Sequence, residues 1–223
     1  TGNYTPPEEF DQYIMRNGEE YADFYNGIID DLISHPDQPC DLVIERHIYR
    51  EIPDATKDQM REVLPNMIFI DTYIRFYFRG LVIKPHIDNG LKVHCVGKGG
   101  ERLCCRHPEN LTYSPYTTSK ECLEAISQSK ISLNVMPWFK DGAHDRIFNS
   151  MLNGEVCLTD HSKYLDEILS PNKNVVFYGL KQLEMLPFIV KNLLSDKSHM
   201  EMLQQDAFVY ALENHTWKQR ART

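Results

Sequence analysis

A loop in the second half of the sequence combines glycine, histidine and charged residues that suit a phosphate ligand. Gly142 lets the backbone approach a ligand, and the helix predicted to begin at Asp145 offers free N–H groups and the positive end of its dipole. Arg146, in the first turn of that helix, carries the planar fork of donors that suits a diphosphate. His144 can donate to a phosphate or a sugar hydroxyl, and Asp141 can accept hydrogen bonds from sugar hydroxyls.

Asn149 lies about one turn beyond Arg146 and can face the same ligand. The spacing of these residues is equally compatible with a purely structural interpretation of the loop. In the structural interpretation, however, Asp145 is only a helix-terminal charge, His144 is a surface turn residue and Arg146 is a salt-bridge partner.

Three other loops also follow predicted strands and carry polar or glycine residues: Gly2-Asn3-Tyr4-Thr5, Gly97-Lys98-Gly99-Gly100 and Asp160-His161-Ser162. The second loop has neither the full Walker pattern nor the GxGxxG spacing, so alone it is a weak phosphate signal. The first loop resembles the turn after a strand, and that strand would precede the given sequence. We therefore expect a fragment of a longer protein.

The elements that must position these loops begin after Gly90, where strands and helices alternate. Strands are predicted at Leu91–Val96, Leu111–Tyr113, Ile131–Met136, Val156–Thr159 and Val175–Tyr178. Helices are predicted at Ser119–Gln128 (with Ser119 as N-cap), Asp145–Asn153, Lys163–Leu169, Leu180–Leu194 and Ser198–Asn214. The pattern predicts an α/β fold with a Rossmann-like parallel sheet flanked by helices, which binds ligands at the carboxyl ends of its strands.

The part of the chain before this alternation is acidic and has helical spacing of its aromatic and aliphatic residues. Helix breaks are predicted at Asn17-Gly18, His35-Pro36 and Ile52-Pro53. A long helix is predicted over Asn66–Asp88, with Pro85 expected to kink it or end it early. We divide the chain into residues 1–5 (end of the first strand and its turn), a helical insertion over 6–66, and a Rossmann-like domain with C-terminal helices over 67–223.

Composition restricts the class of protein. The formal net charge of −8 argues against a nucleic-acid groove, although a local basic cluster can still hold one phosphate group. The six cysteines form no CxxC pair and are interpreted as reduced thiols, with no metal site. No signal peptide or membrane span is evident, so a cytoplasmic location is expected. A dinucleotide oxidoreductase and a metal-dependent hydrolase are both disfavoured by the absent motifs.

The stretch Lys130–Glu167, KISLNVMPWFKDGAHDRIFNSMLNGEVCLTDHSKYLDE, resembles a motif of glycosyltransferases with the GT-B fold. It is similar in particular to the bacterial CgeB-like (spore maturation protein) branch of the group 1 glycosyltransferases. The shared elements are a strand, a Pro-aromatic turn, a Gly, a His-x-Arg element, a helix ending in Gly, and a strand ending in Thr-Asp. More loosely, the likeness covers Gly90 to Arg220 and the first five residues.

The resemblance implies roles for individual residues. The broader group has two glutamates eight positions apart, the first facing the donor sugar and the second the ribose. Asp141 and Asn149 stand at those positions here, and the second replacement loses the charge. Lys98, His144 and Arg146 become the candidates for stabilising the leaving group. The full set expected to bind the donor is Gly2, Asn3, Tyr4, Gly97, Lys98, Asp141, Gly142, Ala143, His144, Arg146, Asn149 and Asp160.

The resemblance also implies an activity and partners. The chain would be the C-terminal, donor-binding half of an enzyme that transfers a sugar from a UDP- or GDP-linked donor to an acceptor hydroxyl, without a bound metal or other cofactor. The acceptor site and the catalytic base would belong to an N-terminal domain of the same parent protein, so the fragment alone would be inactive. The alternative is a degenerate glycosyltransferase-like domain that serves as a structural or protein-interaction module.

Overall fold

The computed structural model describes residues 2–114 and 118–222. Thr1, the first residue of the predicted 1–5 segment, and residue 223 lie outside the described residues. The helices before the first strand are α1 (Asp11–Ile14), α2 (Glu19–Ser34), α3 (Cys40–Glu51), α4 (Lys57–Val63) and α5 (Ile68–Asp88). The strands and helices that follow are β1 (Val93–Val96), β2 (Leu111–Ser114), α6 (Ser119–Ser127), β3 (Ile131–Asn134), α7 (Asp145–Leu152), β4 (Val156–Asp160), α8 (Lys163–Ile168), β5 (Val176–Tyr178), α9 (Leu186–Ser195), α10 (Lys197–Asn214) and α11 (Trp217–Arg220).

The N-terminal helices confirm the predicted breaks. Gly18 separates a short 3₁₀ turn from α2, and α2 and α3 end at Ser34 and Glu51, next to the predicted breaks. The next helix, α4, begins with a capping box in which Thr56 and Gln59 bond each other's backbone N–H groups. None of the described helices is both long and apolar enough to cross a membrane.

Helix α5 continues past Pro85, so the expected early end is wrong. Three more residues follow the proline before the helix stops at Asp88. The proline removes one N–H, which would have donated to the Leu81 carbonyl, and the other hydrogen bonds of the helix do not depend on that group. The Asn89 backbone N–H donates to the Pro85 carbonyl at 3.1 Å and to the His86 carbonyl at 3.3 Å, which closes the turn.

All the ladders between the named strands are parallel, as predicted for an α/β fold. Strand β1 pairs with β2, and the strands β3, β4 and β5 form a second hydrogen-bonded group in that order. One continuous sheet was expected. Instead, among the described residues, the strands form one group of two and one of three, because β1 and β3 do not pair.

The three-stranded group lies between two layers of helices. Along β4, Val156 and Leu158 belong to an apolar cluster that includes residues of α2, α5 and α9, whereas Cys157 belongs to a second cluster with residues of α7 and α10. Adjacent residues of a strand point to opposite faces, so this alternation places helices on both sides of the sheet. The predicted fold class, a parallel sheet flanked by helices with a helical N-terminal region, is confirmed.

Two predicted helix starts are corrected. The N-cap of α6 is Thr118 rather than Ser119, because Thr118 and Glu121 form a capping box. Helix α9 begins at Leu186 rather than Leu180, and a 3₁₀ turn over Leu183–Met185 precedes it. Pro187 sits in the first turn of α9, where a proline is well tolerated.

Candidate functional site

The first loop and the glycine loop after β1 are joined by hydrogen bonds between their backbones. The Gly2 N–H donates to the Val96 carbonyl at 2.7 Å, and the Tyr4 N–H donates to the Lys98 carbonyl at 2.8 Å. The Lys98 N–H in turn donates to the Asn3 side-chain oxygen at 3.0 Å. The sequence predicted both loops as strand-end loops, and the structure brings them together.

Glycine is required where these two loops cross. Gly97 has φ +132°, and a β-carbon placed on it would lie 2.6 Å from the Gly2 carbonyl oxygen. Gly99 has φ +87°, and its β-carbon would lie 1.9 Å from the Tyr4 carbonyl oxygen. No side chain fits at these separations, so the glycines permit the close crossing of the two backbones.

The N-terminus of α7 is held by its own residues and by the following loop. The His144 side chain caps the helix, because its Nδ1 accepts from the Arg146 N–H at 3.3 Å. The Ser162 hydroxyl donates to the Gly142 carbonyl at 2.6 Å and thereby fixes the loop before the helix, which contains half-buried Ala143. The first turn of α7 is therefore presented in one defined position.

The capping role is consistent with a neutral His144 imidazole. Burial, and then the positive charge of Arg146, lower the pKa of His144, while Asp145 opposes the shift. Nδ1 also contacts the Asp145 carboxylate, but it can donate there only when it is protonated and can cap the helix only when it is not. A lowered pKa favours the neutral, capping form at pH 7.

Two arginines converge on Gly2. A β-carbon placed on Gly2 would lie 3.3 Å from Arg146 Nη1 and 3.3 Å from Arg79 Cζ. The Arg79 guanidinium donates to the carbonyl of Asn3. We call Gly2, Gly97, Lys98, Arg79 and Arg146 the arginine corner.

Burial and nearby positive charge lower the pKa values of both arginines of this corner. Burial, and then the charges of Arg146 and Arg75, lower the pKa of Arg79 to about 10. Burial also lowers the pKa of Arg146, although the negative charges of Asp145 and Asp160 oppose that change. Arginine stays protonated at neutral pH even when its pKa is lowered, so Arg79 and Arg146 concentrate positive charge in a protein that is acidic overall.

The other predicted binding residues lie further along the same edge of the sheet. Asp141 is exposed and forms an ion pair with Lys163 at 2.8 Å. Asn149 faces back along α7, and its amide donates to the Asp145 carboxylate at 3.5 Å. In the described structure both side chains are therefore bonded to residues outside the arginine corner.

Asp160 is buried and already bonded. Its carboxylate accepts from Lys140 Nζ at 2.6 Å and from the Met136 N–H at 2.7 Å, and Lys140 also donates to the His161 carbonyl at 2.9 Å. Burial raises the pKa of Asp160, and the Lys140 charge opposes that rise. We call Lys140, Asp141, Asp160 and Lys163 the lysine–aspartate corner.

Three charged residues near the site were not identified from the sequence: Arg75, Arg79 and Lys140. Arg75 and Arg79 are one turn apart on α5, and Arg75 stacks over the Trp138 ring at 4.2 Å. Two arginines at i and i+4 in a largely apolar helix were a usable signal, because they must share one face. Lys140 gave no comparable signal, since its burial depends on the position of Asp160.

Comparison with known proteins places the chain in a family. A family model described as "Glycosyl transferase-like" matches residues 79–223, well over half of the chain. A search among curated proteins gave no match. Among solved structures, one described as "Crystal Structure of TarM" is similar at 16% identity and a TM-score of 0.46, and the alignment covers 67% of this chain and 31% of that one. The present chain thus spans about a third of the length of that protein. On the strength of the family match, the chain belongs to the glycosyl transferase-like family.

Proposed function

We propose that this chain is the donor-binding part of a glycosyltransferase and that the arginine corner holds the diphosphate of a nucleotide sugar. The observation that carries the proposal is the convergence of Arg79 and Arg146 on Gly2, beside the N-terminus of α7. Two guanidinium groups supply charge-assisted bonds to phosphate oxygens, and the helix start adds N–H groups and dipole. A ligand with two phosphate groups suits this arrangement.

Fixed positive charge also explains how such a site can work without a metal. The leaving group of sugar transfer is a nucleoside diphosphate that gains negative charge as the glycosidic bond to the donor breaks. Arg79, Arg146 and the α7 N–H groups are held in place beforehand, so they need little rearrangement to stabilise that charge. Lys98, exposed on the adjoining loop, can supply a further positive charge.

The remaining parts of the donor are assigned by position along the loop and α7. We propose that the Asp141 carboxylate accepts hydrogen bonds from hydroxyl groups of the sugar. The Asn149 amide, which can donate or accept, forms a hydrogen bond with a hydroxyl group of the ribose. To do so, Asp141 must exchange its exposed ion pair with Lys163, and the amide of Asn149 must leave Asp145. Both exchanges are inexpensive, because exposed ion pairs and long hydrogen bonds contribute little.

In the reaction that we propose, an acceptor hydroxyl forms a bond to the anomeric carbon while the bond from that carbon to the diphosphate oxygen breaks. The diphosphate keeps the electron pair of the broken bond and is held by the arginine corner. The acceptor proton passes to a base, and we assign no base among the residues of the corner. The acceptor site and that base would come from an N-terminal domain of the parent protein. We propose further that the chain belongs to the CgeB-like branch of the glycosyltransferases, which its motif over Lys130–Glu167 resembles.

A second candidate function is an interaction module that has lost donor binding. The observation that favours it is the neutral Asn149, whose amide is bonded to Asp145 and stands where the related enzymes carry a charged residue. This module would associate with a partner and would not respond to nucleotides.

Calorimetric titration with UDP and GDP at millimolar concentration separates the two functions. We expect saturable binding to the wild-type chain, loss of binding in Arg146→Ala, and unchanged binding in Arg61→Ala, a matched control on the exposed face of α4. If neither nucleotide binds the folded wild-type chain, donor binding is wrong and the interaction module is favoured.

A further inference from the structure

The negative charge of the protein is concentrated in its N-terminal helical region. Residues 6–66 contain 15 acidic and 5 basic residues, whereas the rest of the chain contains 17 acidic and 19 basic residues. The net charge of −8 therefore arises entirely in this region. A surface with this imbalance attracts cationic partners and repels anionic ones.

An apolar surface is exposed within the same region. Its side chains come from α1, from the 3₁₀ turns that precede α2 and α5, and from the first residues of α2 and α5. Ile68 is 70% exposed and Tyr21 is 54% exposed, and Tyr13, Met15 and Leu64 are exposed as well. We call these five residues the tyrosine face. Single exposed apolar side chains are ordinary, whereas a group of them gathered on one surface marks an interaction site.

Buried aromatic rings support the exposed ones. The Phe69 ring is stacked with Tyr13, with 6.1 Å between the ring centres, and it meets Tyr25 edge-on at 5.1 Å. Tyr21 lies 6.4 Å from Tyr25 on the other side. Phe69 directly follows Ile68 in α5. The exposed tyrosines and the exposed isoleucine therefore rest on one aromatic base.

Arg16 joins the remaining members of the tyrosine face. Its guanidinium donates to the Asn66 carbonyl at 2.6 Å and lies 5.5 Å from the centre of the Phe69 ring. These contacts hold the turn that contains Met15 against the turn that contains Leu64. The surface is thus ordered before any partner arrives, which lowers the entropic cost of docking.

Exposed carboxylates flank the tyrosine face. Each of them lies within two residues of one of its members in the sequence: Asp11, Glu19, Glu20, Asp23 and Glu62. Within the part of the chain that the structure describes, none of these five forms an ion pair, whereas Asp31 and Asp58 of the same region are paired with arginines. An apolar centre with a charged rim is the usual anatomy of a protein interface.

The chemistry of the tyrosine face favours one class of occupant. A second copy of the chain would bring the same negative charge, and an anionic membrane would also be repelled. The face is built from helices and helical turns, so a partner meets side chains and no open strand edge. An amphipathic helix is recognised in this way, through apolar residues spaced along one of its faces.

We propose that the tyrosine face docks a basic amphipathic helix of another protein. Apolar side chains of that helix cover Ile68 and the two tyrosines, and its lysine or arginine residues lie beside the flanking carboxylates. The surface is separate from the arginine corner, because Ile68 and Arg79 are about 16 Å apart along α5. Docking does not require nucleotide binding, and the two can occur together.

Fluorescence anisotropy with the whole chain tests the proposal. The probe is a labelled helical peptide of about 18 residues, built from leucine and lysine with the leucines on one face. A counterpart carries glutamate in place of every lysine. We expect the lysine peptide to bind the wild-type chain with an affinity that falls as salt is added, and the glutamate peptide not to bind.

Variants locate the bound peptide. Ile68→Ser should weaken binding about tenfold, because the burial of an isoleucine side chain is lost. Met202→Ser is the matched control, since Met202 is an exposed apolar residue of α10, and it should bind like the wild type. The double change Glu19→Gln and Glu20→Gln should weaken binding about threefold and reduce its salt dependence. Melting curves show that each variant is folded.

Four results overturn the proposal. The first is no binding of the lysine peptide to the folded wild-type chain. The second is equal affinity of the wild type and Ile68→Ser, which would place the peptide elsewhere on the acidic surface. The third is self-association of the chain that Ile68→Ser abolishes, which would assign the face to a second copy. The fourth is binding to phosphatidylcholine vesicles that Ile68→Ser abolishes, which would assign it to a membrane.

Discussion

The arginine corner and the lysine–aspartate corner lie at the same edge of the strands but balance their charges differently. In the lysine–aspartate corner each lysine has a carboxylate within 2.8 Å. In the arginine corner Arg79 donates to a neutral carbonyl, and the charge of Arg146 adds to burial in lowering the pKa of Arg79. Positive charge that is matched within the protein supports structure, whereas positive charge brought together on a glycine loop is suited to an anionic ligand.

The largest expected effect comes from breaking the buried pair of the lysine–aspartate corner. Lys140→Met leaves Asp160 buried without its cation, and we expect a loss of about 3–5 kcal/mol in the free energy of unfolding. Denaturant unfolding measures the loss. The matched variant Lys163→Met removes an exposed lysine and should change stability little. Similar losses in both variants would contradict the distinction between buried and exposed pairs.

Glu155, which precedes β4 at the end of the strand opposite Asp160, has a buried carboxyl group without a full set of hydrogen-bond partners. Burial raises the pKa of Glu155 from 4.5 to about 7, and its Oε2 has no hydrogen-bond partner within the described structure. The folded state therefore holds the Glu155 proton more tightly than the unfolded state. This contribution to stability is complete below pH 4.5 and is lost as the pH rises through 7.

Glu155→Gln should remove this pH dependence. We expect the stability of the variant relative to wild type to rise by about 3 kcal/mol between pH 4.5 and pH 8, as followed by denaturant unfolding. Glu201→Gln, on the exposed face of α10, is the control and should show no such rise. A pH-independent difference between Glu155→Gln and wild type would contradict a raised pKa.

Removing one guanidinium from the arginine corner should affect ligand binding more than stability. We expect Arg79→Gln to weaken UDP or GDP binding by about tenfold to a hundredfold, because a charge-assisted hydrogen bond contributes about 1.5–3 kcal/mol. Calorimetry measures the affinity, and Arg61→Gln serves as the control. Unchanged affinity in Arg79→Gln would exclude Arg79 from the site.

The smallest effect concerns the ribose. Asn149→Glu restores a carboxylate acceptor, and we expect about threefold tighter binding of the nucleoside diphosphate, near the lower end of a net hydrogen-bond contribution. Inorganic diphosphate, which has no ribose, provides the control and should bind equally to both chains. If both ligands bind the variant more weakly, repulsion from Asp145 dominates and Asn149 does not face the ribose.

The sequence predicted the local features of the site better than their partners. The glycine loop at Gly97 and the helix start at Asp145 could be predicted, because turn chemistry and helix periodicity are local properties. The i, i+4 spacing of Arg75 and Arg79 indicates a shared helix face, but the place of Arg79 beside Gly2 depends on how α5 packs across the sheet. Lys140 likewise becomes structural only through its pairing with Asp160, twenty residues away in sequence.

The sequence pattern also did not predict that the strands form two separate hydrogen-bonded groups. Periodicity predicts that β1 and β3 are strands of a parallel sheet, and they are. It does not say which strands are neighbours, because order in a parallel sheet is set by the crossovers between strands.

Hydrogen exchange with and without saturating UDP or GDP locates a bound nucleotide on the backbone, so it tests directly whether the arginine corner is the diphosphate site. We expect protection at Gly97–Gly99 and in the first turn of α7, no change across Asp160–Asp166, and loss of the protection in Arg146→Ala. Protection confined to the lysine–aspartate corner, or none anywhere at millimolar nucleotide, would contradict a diphosphate site at the arginine corner.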